Sequence, residues 1–191
     1  MQHLTLTIIR DEHRALAAML RSMLLLLEQA RRQHELPDFS VLRAMLLYID
    51  EYPERLHHTK ESELLFPKIR QRVPDLVDVL TQLDQEHANG ERAVRHLEHL
   101  LLAFDVLGEP RREAFEVAAA RYVDFYLAHM RVEDVTILPA AVAHLTASDW
   151  DELDQAFSAN RDPLTGADLP DAYRPLFLKI LNTAPAPIGL A

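Results

Sequence analysis

The most informative absence in the sequence is that of cysteine, which does not occur among the 191 residues. Disulfide bonds, zinc–thiolate sites, iron–sulfur clusters and thiol nucleophiles are therefore excluded. Glycine is nearly as scarce, with four residues, and a chain so poor in glycine has few of the turns that β-sheets require. Any reactive site must be built from oxygen and nitrogen side chains carried on helices.

A net positive charge and long apolar runs are also lacking. The formal net charge is −10, whereas a nucleic-acid groove would need a basic face. The N-terminus has no basic region before its apolar residues and meets charge at Arg10, so we expect no signal peptide. The run SMLLLL is stopped by Glu28, far short of the roughly 20 residues that a membrane span needs. These features predict a soluble, cytoplasmic protein without a nucleic-acid or membrane partner.

An internal repeat carries most of the polar groups of interest. With a shift of 72 residues, the segment HMRVEDVTILP (129–139) aligns with HHTKESELLFP (57–67). This alignment pairs His57 with His129, Glu61 with Glu133, and Pro67 with Pro139. A weaker match at a shift of 74 residues pairs Glu12 and His13 with Glu86 and His87. The chain is therefore interpreted as two copies of one unit, in which a helix with a lone histidine precedes a helix with His-x-x-x-Glu.

Hydrophobic periodicity predicts four long helices. They span about residues 4–33, 40–70, 74–107 and 111–144. We expect the second to be kinked or restarted near Pro53, because proline lacks the N–H that a helix interior uses. Short connections make sequential helices antiparallel, so the predicted fold is all-α: an up-down-up-down antiparallel four-helix bundle over residues 1–145.

Residues 146–191 are expected to form a short C-terminal helical appendage. Ser148 and Asp151 have the spacing of a capping box, and DAYRPLFLKIL (171–181) has the pattern of a short amphipathic helix that precedes a frayed tail. Two roles for the appendage are open. It either packs across the bundle and closes its core, which we favour, or it forms a homodimer contact.

The repeated histidines and glutamates fall on apolar faces of the predicted helices. Burying six such groups unpaired would cost several kcal/mol each, so they must satisfy one another or share an ion. Metal ions accept imidazole and carboxylate ligands together, and we favour a metal site over a purely hydrogen-bonded polar core. The predicted ligands are His13, His57, Glu61, His87, His129 and Glu133.

The number and type of these ligands indicate which metal would bind. We expect His13 and His57 on one ion, His87 and His129 on a second, and Glu61 and Glu133 shared between them. Each ion then has about four protein donors and open positions, which suits non-haem iron better than manganese or zinc. A closed structural zinc site is disfavoured because such sites are usually rich in cysteine.

The order of these motifs resembles the hemerythrin-like (HHE cation-binding) family over roughly residues 4–145, and HHTKESELLFP is the most specific piece. The resemblance implies a four-helix bundle with an oxo- or hydroxo-bridged centre of two iron ions that binds dioxygen or a related small ligand such as peroxide or nitric oxide. It also implies the same six ligands. A metal-free or zinc-bound helical interaction module is the alternative function.

Two departures from the oxygen carriers of this family affect the expected function. The carriers have two histidines four residues apart on the third helix, but here Glu91 follows His87 at that spacing. They also have an aspartate five residues after the last histidine, where this chain offers Glu133 at +4 and Asp134 at +5. The site should therefore be more open than that of a reversible carrier, which favours sensing, iron handling or redox reaction. Whether the protein is an enzyme is left undecided.

Three further residues are possible ligands: His58, Asp134 and Glu91. For His58, ligation and an interhelical hydrogen bond are equally compatible with the sequence. On a regular helix Glu133 returns to within about 40° of His129, whereas Asp134 lies about 140° away and would need a local distortion. Nearby tyrosines are expected to pack in the core or to bond a ligand, and Gly90 would allow a close approach. The tyrosines are Tyr48, Tyr52, Tyr122 and Tyr126.

Overall fold

The computed structural model describes residues 3–160, 162–165, 174–186 and 188. These residues are helical almost throughout and contain no strand, which confirms the all-α expectation. The first helical segment is α1 (Leu4–Gln33), with the predicted bounds. It ends at His34, whose left-handed backbone closes the helix through hydrogen bonds to the carbonyls of Ala30 and Arg31.

The second helical segment spans residues 39–72 and changes its helical form along the way. It consists of α2 (Phe39–Ile49), a π-helical turn (Asp50–His57), α3 (His58–Lys60), a second π-helical turn (Glu61–Leu65) and α4 (Phe66–Arg72). Asp38 caps its start by accepting hydrogen bonds from the N–H groups of Ser40 and Val41. The kink expected at Pro53 takes the form of the first π-helical turn, and the helix continues through it.

The third and fourth helical segments span residues 74–107 and 109–144. The third consists of a 3₁₀ turn (Pro74–Leu76) and α5 (Val77–Leu107); the fourth consists of a 3₁₀ turn (Glu109–Arg111), α6 (Arg112–Val132), a π-helical turn (Glu133–Ile137) and α7 (Leu138–His144). Gly108 joins them with a positive φ of 73°, which glycine adopts without strain.

The two halves of the sequence repeat share a structural irregularity. The π-helical turns at 61–65 and 133–137 each begin at the glutamate of a His-x-x-x-Glu motif. Pro67 and Pro139 follow at equivalent places, in the first turn of the next α-helix. Because proline lacks an N–H and its ring collides with the carbonyl four residues earlier, the helix widens before each proline.

α1 packs against α2 and α6, α5 packs against the same two helices, and α4 contacts α7. Two apolar clusters fill the interior. The larger apolar cluster includes Leu16, Leu20, Met23, Leu42, Met45, Tyr52, Val94, Leu97, Ala119, Tyr126 and Met130. The smaller apolar cluster includes Leu6, Ile9, Leu65, Phe66, Ile69, Leu80, Leu83, Ile137 and Leu138.

Successive segments meet the two clusters in opposite orders along the chain. The first and third segments pass from the smaller cluster to the larger one, and the second and fourth pass the other way. In the first three segments the repeated histidine falls between the two clusters, as His13 does between Ile9 and Leu16; in the fourth, His129 lies at the end of the larger cluster, next to Met130. The polar groups therefore form a layer across the middle of the interior.

The C-terminal appendage packs onto both apolar clusters. It contains α8 (Ala147–Phe157), a 3₁₀ turn (Pro163–Thr165) and α9 (Arg174–Thr183). Its buried side chains join the smaller cluster through Trp150, Leu153 and Phe157 and the larger one through Phe177, Ile180 and Ala184. The appendage therefore packs against the helical segments, as we favoured from the sequence. A homodimer contact through it stays a prediction. Parts of the predicted amphipathic stretch (171–173) and of the predicted tail (187 and 189–191) lie outside the described residues.

The predicted capping box was wrong in position. Thr146, not Ser148, caps α8: its hydroxyl accepts from the N–H of Asp149, whose carboxylate accepts from the N–H of Thr146. Thr146 has the extended backbone that a cap requires, whereas Ser148 already lies inside the helix. Among the described residues, no helix combines the length and hydropathy needed to cross a membrane.

Candidate metal centre

Seven buried side chains meet between the two apolar clusters, none of them more than 7% exposed. They are His13, His57, His58, Glu61, His87, His129 and Glu133, and we call them the polar layer. All six ligands predicted from the repeat are brought together, and His58 joins them. The layer divides into two groups, within each of which the possible ligand atoms lie no more than 4.8 Å apart. The first group is His13, His57, Glu61 and Glu133; the second is His58, His87 and His129.

In the first group, two imidazoles face each other with a glutamate beside each one. The Nε2 atoms of His13 and His57 are 3.1 Å apart. Nε2 of His57 is also 3.2 Å from Oε2 of Glu61, and Nε2 of His13 is 3.3 Å from Oε2 of Glu133. Four potential ligand atoms thus converge on one point.

The second group repeats this arrangement with a third imidazole. The Nε2 atoms of His87 and His129 are 3.0 Å apart, and Oε1 of Glu133 lies 3.2 Å from Nε2 of His129. Oε2 of Glu61 is 3.7 Å from Nε2 of His87. The His58 ring stacks on that of His87, with centroids 4.2 Å apart and planes 11° from parallel. Since both glutamates contact histidines of both groups, they lie where carboxylates shared between two ions would lie.

The outer nitrogen of every histidine in the layer has its own hydrogen-bond partner. The Nδ1 atoms pair with Asp134 for His13 (3.1 Å), Glu12 for His57 (2.7 Å), Glu54 for His58 (3.1 Å), Ser62 for His87 (2.8 Å) and Glu86 for His129 (2.8 Å). Four of these partners are carboxylates, which are placed to accept a proton from Nδ1, and the fifth is the Ser62 hydroxyl. With its proton on Nδ1, an imidazole has its lone pair on the inner nitrogen, Nε2. Metal-binding histidines generally have this outer partner, which sets both the tautomer and the ring orientation.

Most of these outer partners were missed by sequence reasoning, although the repeat contained a signal for two of them. Glu12 and Glu86 directly precede the two lone histidines of the repeat. In the structure each bonds the histidine of the following segment: Glu12 bonds His57 and Glu86 bonds His129. The repeated Glu-His dipeptide therefore encodes one possible ligand and the outer partner of another.

The two glutamates of the polar layer are buried among imidazoles. All four carboxylate oxygens of Glu61 and Glu133 are buried without a hydrogen-bond partner, although imidazole nitrogens lie within ion-pair distance. Burial alone would lower the pKa of His129, but the charge of Glu133 raises it to about 9. Conversely, burial would raise the pKa of Glu133, but His129, together with His13 and His87, holds it well below the usual range. For both side chains, the mutual attraction of carboxylate and imidazole outweighs the effect of burial.

His58 differs electrostatically from the other histidines of the layer. Burial and then the nearby imidazoles, foremost His87, lower its pKa well below the usual range. By contrast, burial would lower the pKa of His57, but Glu61 and Glu12 raise it well above that range. His58 is therefore a neutral imidazole, the form in which histidine binds a metal ion.

Residues 4–141 match the sequence profile of the family described as hemerythrin HHE cation binding domain. This chain belongs to the hemerythrin HHE cation-binding family. The match confirms the resemblance found in the sequence and spans all four helical segments. It ends before the C-terminal appendage of this hemerythrin-like chain. No curated protein matches the chain in sequence.

Two other possible ligands of this hemerythrin-like protein lie outside the polar layer. Asp134 bonds the outer nitrogen of His13, and its side chain is 40% exposed. The helix is distorted here, as an inward Asp134 would have required, yet Glu133 occupies the interior. Glu91 lies on the surface, where it pairs with Arg95.

The tyrosines are buried, and the hydroxyls of three of them bond carboxylates. Tyr122 and Tyr126 donate to Glu54, and Tyr48 donates to Asp162. A cavity of about 10 Å³, enough for about one water molecule, adjoins the first group of the polar layer. It is lined by Glu12, His13, Leu16, Tyr52, Pro53, Leu56, His57 and Asp162.

Proposed function

We propose that this protein binds two iron ions per chain and binds or reacts with dioxygen or a related small ligand such as peroxide or nitric oxide. The observation that carries the proposal is the set of four buried carboxylate oxygens on Glu61 and Glu133 that have no hydrogen-bond partner. Buried carboxylates are costly unless something positive compensates them. Cations between these glutamates and the surrounding Nε2 atoms would supply that compensation.

The donor set favours iron. Imidazole and carboxylate without thiolate suit non-haem iron, and the structural zinc alternative usually requires four ligands rich in cysteine. We assign His58, His87 and His129 to one ion, and His13 and His57 to the other, with Glu61 and Glu133 shared. His58 thereby replaces the histidine that this chain lacks on its third segment.

The two ions would not be equally open to ligands. The first group has two histidines, and it adjoins the cavity of about 10 Å³. The second has three, and the ring of His58 packs between His87 and Tyr126. We therefore place the small ligand at the ion held by His13 and His57. When bound, an iron pair supplies electrons and open coordination positions; the cavity restricts the ligand to a few atoms.

The four helical segments are proposed to form the up-down-up-down antiparallel bundle that this family implies. The opposite orders in which successive segments meet the two apolar clusters support this arrangement. A cytoplasmic location, as expected from the sequence, is retained as part of the proposal.

The test is an anaerobic titration of chelator-treated protein with Fe²⁺, followed by exposure to air. We expect two equivalents to bind, and near-ultraviolet charge-transfer absorption to appear on oxidation. His129→Ala should lose at least one equivalent. His99→Ala is the matched control, because His99 lies exposed on the third segment and should leave both equivalents intact. Binding of one equivalent or none, or a preference for zinc when iron is available, would favour the zinc-bound or metal-free interaction module.

A further inference from the structure

Glu54 is a buried carboxylate directly behind the polar layer, and the proposed metal ligands do not include it. Its side chain is 2% exposed. Oε2 lies 3.1 Å from Nδ1 of His58, one helical turn away. Oε1 accepts hydrogen bonds from the hydroxyls of Tyr122, at 3.1 Å, and of Tyr126. Both oxygens are therefore occupied, one by two phenols and the other by an imidazole.

The partners of the two Glu54 oxygens determine which nitrogen of His58 can face a metal ion. Because the two phenols hold Oε1, Oε2 is the oxygen that faces His58 and is placed to accept a proton from Nδ1. The remaining nitrogen of His58 is then the one available beside His87 and His129. The ring plane is also constrained, since Tyr126 stacks on His58 with centroids 5.6 Å apart and planes 14° from parallel.

Gly90 makes room for this network. A Cβ atom at position 90 would overlap the hydroxyl of Tyr126 and would lie 2.8 Å from Oε1 of Glu54. Glycine inside a helix is less stable than alanine by about 1 kcal/mol, so α5 is weaker here than it need be. Glycine is needed at position 90 because the hydroxyl of Tyr126 and the carboxylate of Glu54 lie directly against the backbone of α5 there.

The sequence repeat shows that the carboxylate and the additional histidine of this network occur in the first half only. Glu54 precedes His57 by three residues, and Tyr126 occupies the equivalent place before His129. His58 itself is replaced by Met130 in the second half. The carboxylate of one copy and the phenol of the other thus bond each other, on the side of the layer that has three histidines.

We propose that Glu54, held by Tyr122 and Tyr126 against Gly90, is a positioning residue that directs His58 toward the ion shared with His87 and His129. The proposal rests on the proposed function for the identity of the ion. The orientation of His58 by Glu54 does not require the ion, and it can be tested without one.

The first test measures Fe²⁺ binding at the two sites in wild type, Glu54→Ala, His58→Ala and the double variant. Loss of the outer partner of a metal-binding histidine typically weakens affinity by about 10- to 100-fold. We expect Glu54→Ala to weaken one equivalent by that amount and to leave the other unchanged. The double variant should bind no more weakly than His58→Ala, because Glu54 acts through His58. Weakening of both equivalents, or additive effects, would overturn the proposal.

Two further variants test the same network if Glu54→Ala does not fold. Gly90→Ala should weaken the same equivalent by displacing the Tyr126 hydroxyl, and adding Tyr126→Phe should restore part of the affinity because the overlapping atom is gone. The matched control is Tyr48→Phe, which removes a buried hydroxyl bonded to Asp162 and should leave both equivalents unchanged. If Tyr126→Phe gives Gly90→Ala no recovery, the steric role of Gly90 is wrong.

The second test uses metal-free protein and the ¹⁵N chemical shifts of the His58 ring. We expect Nδ1 to carry the proton in wild type and this preference to be lost in Glu54→Ala. An unchanged tautomer would contradict the positioning role. Failure of the wild type to bind iron would overturn the proposed function instead, and the tautomer measurement would still decide whether Glu54 positions His58.

Discussion

Asp162, in the C-terminal appendage, should make the protein's stability depend on pH in a way that one substitution removes. The side chain is 5% exposed, and it accepts hydrogen bonds from the Tyr48 hydroxyl at 2.7 Å and the Leu164 N–H at 2.8 Å. Burial, assisted by the charge of Glu12, raises its pKa from 3.8 to about 6, although the two hydrogen bonds and His57 act in the opposite direction. The folded protein therefore holds this proton more tightly than the unfolded chain does.

The magnitude follows from the two pKa values. A change from 3.8 to about 6 corresponds to about 3 kcal/mol. This stabilisation is fully present below pH 3.8 and is lost as the pH rises through about 6. Between pH 4.5 and pH 7.5 the loss amounts to about 2 kcal/mol. The Asp162→Asn variant has an uncharged amide in this place at either pH, so it should escape this loss.

The assay is urea unfolding of chelator-treated wild type and Asp162→Asn at both pH values. The free energy of unfolding of the variant minus that of wild type should be about 2 kcal/mol higher at pH 7.5 than at pH 4.5, because only wild type loses stability over this range. Asp124→Asn is the control, since Asp124 is exposed in the middle of α6 and its substitution should change stability by less than about 0.5 kcal/mol at either pH. A variant-to-wild-type difference that is the same at both pH values would refute the reasoning.

Three further predictions concern the metal and the core. Removing iron should lower the melting temperature while circular dichroism still shows a helical protein, because the apolar clusters remain; equal melting temperatures would place the ions outside the core. Phe157→Ala should cost about 3–5 kcal/mol in urea unfolding because the ring is fully buried, against under about 0.5 kcal/mol for the exposed Val135→Ala; equal costs would mean that the appendage does not pack as described. Glu133→Ala should abolish binding of both irons, whereas Asp134→Ala should keep two and weaken affinity by up to about 100-fold, since it bonds only the outer nitrogen of His13; the reverse result would mean that Asp134 is the ligand.

The helical segments and six members of the polar layer were predictable because each depends on spacing along one helix. Apolar periodicity predicted the bounds of α1, and the repeat identified Glu61 and Glu133 by their distance from a histidine. Both features are properties of a single helix, which its own residues determine.

The partners between segments could not be predicted in the same way. Whether Glu12 bonds His57, or Glu54 meets Tyr126, depends on how adjacent helices are rotated about their axes, and periodicity does not determine that rotation. His58 stayed undecided because neighbouring residues on a helix point about 100° apart. In the structure the two adjacent histidines of the second segment belong to different groups of the layer, so the ligand role of His58 stays a proposal.

The central claim is that two ions lie inside the polar layer, and anomalous scattering at the iron edge from crystals of iron-loaded protein tests it most directly. Two anomalous peaks should appear, one beside His13 and His57 and the other beside His58, His87 and His129, with Glu61 and Glu133 between them. A single peak, or peaks only at exposed residues, would contradict the proposal that this layer holds a pair of iron ions.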